Sequence, residues 1–256
     1  MSAAIVHPLA LVAPDVELAE GASVGAFAVI EPGVVAGEGT RVDAHAVIRA
    51  GTRLGARNVV HPFAVLGGEP QERGYAGELT RLFIGDGNTF REHVTVHRGS
   101  AKGGGLTRIG DGSLFMAGVH VAHDCVIGDR LELANGTLLG GHVELGDGVV
   151  TGGGVAIAPF VRVGARAFLA AGAMVERDVP PFVIAAGDRA RVRALNQVGL
   201  ARSSVPEASR AALEQAFRAI FRGELPRAAA AAGFVGDADP YVRELAAFVV
   251  AASRGR

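Results

Sequence analysis

Every sixth residue from Val12 is aliphatic: Leu18, Val24, Ile30, Ala36, Val42, Ile48, Leu54, Val60 and Leu66 follow in step. The series breaks, resumes at Ile84, Phe90 and Val96, pauses again, and then runs through Ile109, Phe115, Val121, Ile127, Leu133, Leu139, Leu145, Thr151, Ile157, Val163, Leu169 and Val175. Only Thr151 departs from apolar character. A period of six fits neither the 3.6 of an amphipathic helix nor the alternation of a hairpin strand, and it is the signature of a hexapeptide β-helix. Glycine often follows the marked position, as at Gly25, Gly55, Gly110 and Gly146, where the chain must turn a corner. Two residues earlier stands a small or β-branched residue such as Ala22, Ala28, Ala46 or Thr52.

The period predicts a mainly β fold, a left-handed parallel β-helix of hexapeptide repeats over 1–186. Three hexapeptides make one triangular coil of eighteen residues, and each aliphatic stacks on its equivalents above and below. Composition agrees, since aromatics are only 5% while glycines number 37, a poor recipe for a helical bundle. Two stretches that break the period, 67–81 and 98–108, are expected to project as loops. After DVPPFVIAAGD the texture changes. Val205-Pro206-Glu207 following Ser203 and Ser204 reads as a helix start, with Leu213, Phe217, Ile220 and Phe221 on one face. Asp239-Pro240 opens another, carrying Val242, Leu245, Phe248 and Val249, and the alanines of 228–232 favour helix as well. Residues 187–256 are therefore expected to form a C-terminal α-helical domain.

The bulk numbers exclude several function classes. A formal net charge of -1 gives no sign of a nucleic-acid surface. One cysteine makes no intrachain disulfide. The first residues lack a basic segment followed by an apolar run, and no stretch reaches the roughly 20 apolar residues of a membrane span. The expectation is a cytoplasmic protein without an integral membrane segment.

The chemistry concentrates in VHVAHDCVIG, residues 119–128. Register sorts it. Val121 and Ile127 are inward, and Cys125 falls two residues before Ile127 at the small inward position, so its thiol is expected to be buried, with a raised pKa. Alternation turns His120 outward, and His123 lies at a corner. Eighteen residues on, Gly141 stacks over His123 with His142 beside it, which leaves room for a ligand and exposes a backbone N–H. Three readings fit this spacing. His97, His120, His123 and His142 converge on a metal; His123 is a general base with Asp124 as its orienting partner; or the histidines are surface residues without a role.

HVAHDC, with VTVHRGSAKGGGLTRIG before it and LLGGHVELGD after it, resembles the acyl-carrier-protein-dependent UDP-N-acetylglucosamine O-acyltransferases that open lipid A synthesis. EPQERGYAGE in the first loop and DVPPFVIAAGD at the exit from the coil extend the resemblance over nearly the whole chain. It implies a homotrimer with an active site in each cleft between neighbours. His123 would be the general base, Asp124 its orienting partner and the N–H of Gly141 the oxyanion donor. His120 and His142 would position the sugar and phosphates, Gln71 and His97 would share the cleft, and Asn196 and Arg202 would hold the nucleotide. Ala171 matches the position that reads acyl length, with Phe168 and Met174 close by. The partners implied are an acyl carrier protein bearing a 3-hydroxyacyl chain and UDP-N-acetylglucosamine, with no cofactor and no metal.

Some positions depart from the family pattern. The lysine before the tyrosine of YAGE is Gly74 here, with Arg73 one residue earlier as a substitute. A histidine-glutamine pair appears as Ala158-Pro159, an acidic residue as Val198, and the second of two arginines as Ser203. These alterations fall on the nucleotide-sugar pocket, so the alternative acceptor is the 3-amino analogue of the sugar. Rival readings on the same fold are the later N-acyltransferase of the pathway, an acetyl-CoA-dependent sugar acetyltransferase, a zinc hydrolyase of the carbonic anhydrase type, and a silent scaffold.

Overall fold

The computed structural model describes residues 3–254, and over most of that length each hexapeptide makes one short strand and one corner. Two-residue strands such as Val59–Val60, Thr89–Phe90 and Leu114–Phe115 stack in parallel into three faces of eleven, nine and eight strands, of which only the last strand of the first face runs antiparallel among the described residues. The chain is a left-handed parallel β-helix. Its coil length is written in the register, since Ser23 lies opposite Arg41, Arg41 opposite Val59, and Leu114 opposite Glu132, each eighteen residues on.

All the periodic aliphatics from Val24 to Val175 are buried, while Val12 and Leu18 near the first coil are half-buried. Full burial of one such side chain is worth about 1.5–3 kcal/mol, and the stack makes a single continuous core. Thr151 is buried as well. Its hydroxyl meets that of Thr137 at 2.8 Å and accepts the Ala134 N–H at 3.0 Å, so a polar group in the core is satisfied.

Two consecutive coils are longer than the rest. Val65 pairs with Thr95, thirty residues on, and Thr95 pairs with His120, twenty-five on. The inserts are shorter than 67–81 and 98–108, because strands claim their ends: Val65–Gly68 and Arg81–Ile84 bound the first, Thr95–His97 and Leu106–Ile109 the second. The second insert is anchored at its start and exposed at its tip, Ala101 to Gly104. Arg98 and Ser100 are buried, and a 3-10 turn at Ala101–Gly103 folds the segment back onto the coil. Arg98 donates to the carbonyls of Ala50 and Gly67 and to the Tyr75 hydroxyl, stapling both inserts together.

The helical part begins later than 187. Strand Val183–Ala186 adds to the first face in parallel, the chain reverses at Gly187 (φ 98), and Arg191–Leu195 returns antiparallel beside it. This hairpin covers the last strand of the face with its own backbone groups, which an open edge would leave unpaired. Four helices follow: α1 Gln197–Arg202, α2 Glu207–Arg222, α3 Arg227–Ala232 and α4 Pro240–Arg254. Pro206 sits at the start of α2, whose Leu213, Phe217 and Ile220 are buried. Asp239 accepts the Tyr241 and Val242 N–H groups and so caps α4. No helix among the described residues is long and apolar enough to cross a membrane.

Candidate active site

The corner after strand His120–Val121 gathers the polar side chains of the candidate site. Val121 must face inward, so the next residues turn at the edge of the prism. Asp124 adopts a left-handed conformation (φ 61), repeated one and two coils on by His142 (φ 61) and Phe160 (φ 63). Such a backbone in a non-glycine residue costs of order 1–3 kcal/mol and is retained where its surroundings hold it. Here the Asp124 N–H donates to Thr107 Oγ1 at 2.8 Å, and the carboxylate, 1% exposed, is gripped on both oxygens. Oδ1 accepts the Ser100 N–H at 2.9 Å, while Oδ2 accepts the Ser100 hydroxyl at 2.7 Å and contacts His123 Nδ1 at 2.7 Å. Facing a carboxylate, Nδ1 carries the proton, which leaves Nε2 as the free acceptor.

Gly141 lies directly above that ring. A Cβ built on it would stand 2.8 Å from His123 Cε1 and 2.9 Å from Nε2, so only glycine leaves the imidazole in place. Its own N–H has no hydrogen-bond partner among the described residues, although Gly141 is buried. An acceptor nitrogen beside an unpartnered N–H donor is an arrangement that can serve acyl transfer. His142 stands edge-on to His123 with ring centroids 5.3 Å apart, and Phe160 stacks on His142 at 4.4 Å. Together with Glu72, Ser100, Lys102 and Pro159, these residues line a cleft of about 450 Å³.

His97 and His120 form a separate pair on the adjoining face, their ring centroids 5.2 Å apart, with Thr95 Oγ1 2.9 Å from His120 Nδ1. The four histidines thus do not make one cluster. Among the described residues the set able to hold a metal is His123, Asp124 and His142, with donor atoms within 4.8 Å of one another. Asp124 Oδ2 already serves Ser100 and His123, so an ion there would break the contacts that orient the imidazole.

Burial pushes His97 below the ordinary histidine value of 6.5, and burial together with the neighbouring His97 does the same to His120. Groups depressed in the folded state bind protons more readily when unfolded, so their contribution is present above 6.5 and is lost as the pH falls through the lowered values. The expected result is a melting temperature that drops between pH 7.5 and 5.5 and drops less in a His97→Gln/His120→Gln variant. Equal drops in a thermal-melt series would count against this assignment.

Cys125 is fully buried, donates its thiol to the Gly140 carbonyl at 3.3 Å, and is pushed up to about 12 by burial. It takes no part in the site. Gln71 is exposed and does not line the cleft; its neighbour Glu72 does, held below its usual range by Lys102, which pairs with it at 2.8 Å. The cation beside Gly74 is Lys102 rather than Arg73: a Cβ on Gly74 would meet Lys102 Nζ at 2.8 Å.

Asn196 and Arg202 belong to another cleft of about 690 Å³ on the first face, lined also by Arg130, Glu132, Arg166, Phe168 and Val198. Asn196 caps α1 through the Gly199 N–H and donates to the Arg166 carbonyl, so its amide is partly committed to the fold. Ala171 is exposed at a corner and lines neither cleft. Sequence reasoning missed Glu72, Ser100, Lys102 and Thr107. Their one signal is that the two inserts interrupt the period in consecutive coils immediately before the His123 coil.

The profile of the bacterial transferase hexapeptide (six repeats) matches residues 106–141, and that of UDP-N-acetylglucosamine O-acyltransferase, domain 2, matches 178–256. A relative from Herminiimonas arsenicoxydans named acyl-(acyl-carrier-protein)-UDP-N-acetylglucosamine O-acyltransferase is 40% identical over 98% of both chains. The chain belongs to this acyltransferase family. Another member, from Halorhodospira halophila, is 52% identical over 85% of this chain and 84% of its own. Among solved structures, the UDP-N-acetylglucosamine acyltransferase from Campylobacter jejuni superposes with a TM-score of 0.92 at 33% identity, covering 96% of each chain. The family resemblance seen in HVAHDC thus holds from the first coils through the terminal helices.

Proposed function

We propose that this chain transfers a 3-hydroxyacyl group from the thioester of acyl carrier protein to the 3-hydroxyl of UDP-N-acetylglucosamine, opening lipid A synthesis in the cytoplasm. The observation that carries the reading is His123, hydrogen-bonded to Asp124 through Nδ1, beneath the unpartnered N–H of Gly141. His123 Nε2 takes the proton of the sugar hydroxyl as its oxygen attacks the thioester carbonyl carbon. The negative charge that develops on the carbonyl oxygen accepts the Gly141 N–H, an interaction whose loss typically costs about 2.7–4 kcal/mol. Collapse of the tetrahedral intermediate breaks the carbon–sulfur bond, and the imidazolium returns its proton to the departing thiolate. Asp124 holds the ring and offsets the charge it gains.

The working unit in this reading is a homotrimer. Asn196 and Arg202 line one cleft and His123 another, and the two share no residue within a chain. A neighbouring copy would bring the guanidinium of Arg202 to the diphosphate of a sugar lying against His123. Mixing tests this. Co-expressed His123→Ala and Arg202→Ala subunits are expected to recover activity that each lacks alone, because some mixed clefts are intact. Activity no higher than the sum of the parents would show that each chain works by itself.

A further inference from the structure

We propose that Ser100 is a positioning residue for this reaction, holding the Asp124 carboxylate against His123 from the second inserted loop. The proposal rests on the acyl-transfer reading above. Ser100 is 2% exposed, and its backbone N–H and its hydroxyl take one carboxylate oxygen each. The oxygen that receives the hydroxyl is the one facing His123 Nδ1, so the chain of contacts runs Ser100 Oγ, Asp124 Oδ2, His123 Nδ1.

The loop is moulded on that carboxylate. Ser100 caps the turn Ala101–Gly103, accepting the Gly103 N–H at 3.3 Å, and a Cβ on Gly103 would fall 2.1 Å from Asp124 Cγ. Gly104 (φ 94) and Gly105 (φ 77) then return the chain to strand Leu106–Ile109, whose Thr107 receives the Asp124 N–H. At the other end Arg98 ties the loop to the carbonyls of Ala50 and Gly67. A spacer would need none of this. The Ser100 hydroxyl takes one acceptor direction of Oδ2 and leaves the other for the imidazole, which fixes the ring angle and keeps Nε2 pointed into the cleft.

The test separates positioning from folding. Ser100→Ala is expected to lower kcat about tenfold, the scale of losing one hydrogen bond to a charged group, with KM for both substrates unchanged. Ser100→Thr should restore the rate while Ser100→Val, of the same shape but without the hydroxyl, should not. In an Asp124→Ala background, adding Ser100→Ala should change the residual rate less than about twofold, because the group it acts through is gone. A wild-type kcat in Ser100→Ala, equal rates in the Thr and Val variants, or a full tenfold loss in both backgrounds would each overturn the proposal. Crystal structures of the wild type and Ser100→Val give a readout independent of turnover. The His123 to Asp124 contact should open in the variant even if the wild type were found to transfer no acyl chain, and an unchanged contact would refute the brace alone.

Discussion

Alanine at position 123 is expected to lower the turnover of acyl transfer by roughly two to four orders of magnitude, the range spanned by general acid–base catalysis. The sugar hydroxyl is a weak nucleophile at neutral pH, and no other side chain at this corner combines a free acceptor nitrogen with an orienting carboxylate. His142 comes nearest, but its Nε2 lies 3.7 Å from Asp124 Oδ2 and its ring is stacked on Phe160. The coil should survive the change. His123 sits at a corner outside the aliphatic stack, and Asp124 keeps both of its bonds from Ser100. Steady-state rates with hydroxyacyl carrier protein, together with far-ultraviolet circular dichroism, check both halves. A rate within tenfold of wild type would remove His123 from the role of base.

A single methyl group at Gly141 should be almost as damaging. Its backbone is not in the left-handed region, so alanine meets no conformational penalty there and the N–H remains in place. The cost is purely spatial. The new Cβ arrives 2.8 Å from the imidazole, well inside van der Waals contact, and the ring must tilt or slide to make room. Displacing a catalytic group by about 1 Å can cost of order 10²-fold in rate. The expected result for Gly141→Ala is a kcat lower by about that factor, a melting temperature close to wild type, and an imidazole visibly displaced in a crystal structure. An undisplaced ring with full activity would mean that the base does not work from beneath Gly141.

Where the physics is periodic, the sequence is legible. The inward series from Val24 to Val175 and the corner register that sets Gly141 over His123 both follow from counting sixes, because one slip would turn every aliphatic outward. Burial of Cys125 followed from the same count. Legibility ends where the period does. Ser100 and Lys102 sit in an insert whose glycines and small polar residues read as a surface loop, and only the folded chain brings them to Asp124 and Glu72. The hairpin return at Arg191–Leu195 was hidden for a related reason: the turn at Gly187 feeds a five-residue strand whose arginines, alanine and leucine equally suit a helix. Among the carried-over residues, Gln71 is exposed in the single chain, and its neighbour Glu72 faces the cleft. Of the altered positions, Val198 and Ser203 line the other cleft among arginines, while Pro159 lines the His123 cleft and Gly74 stands against Lys102.

Acceptor choice is the most direct test of the central claim, that this chain acylates the 3-hydroxyl of UDP-N-acetylglucosamine. Initial rates should be measured with UDP-N-acetylglucosamine beside its 3-amino analogue, each against carrier protein loaded with 3-hydroxyacyl chains of several lengths, with products identified by mass spectrometry. The account predicts an ester on UDP-N-acetylglucosamine with at least one donor length, at a rate exceeding that of amide formation on the analogue. Acylation of the amine alone, or no product from either sugar with any donor, would contradict it.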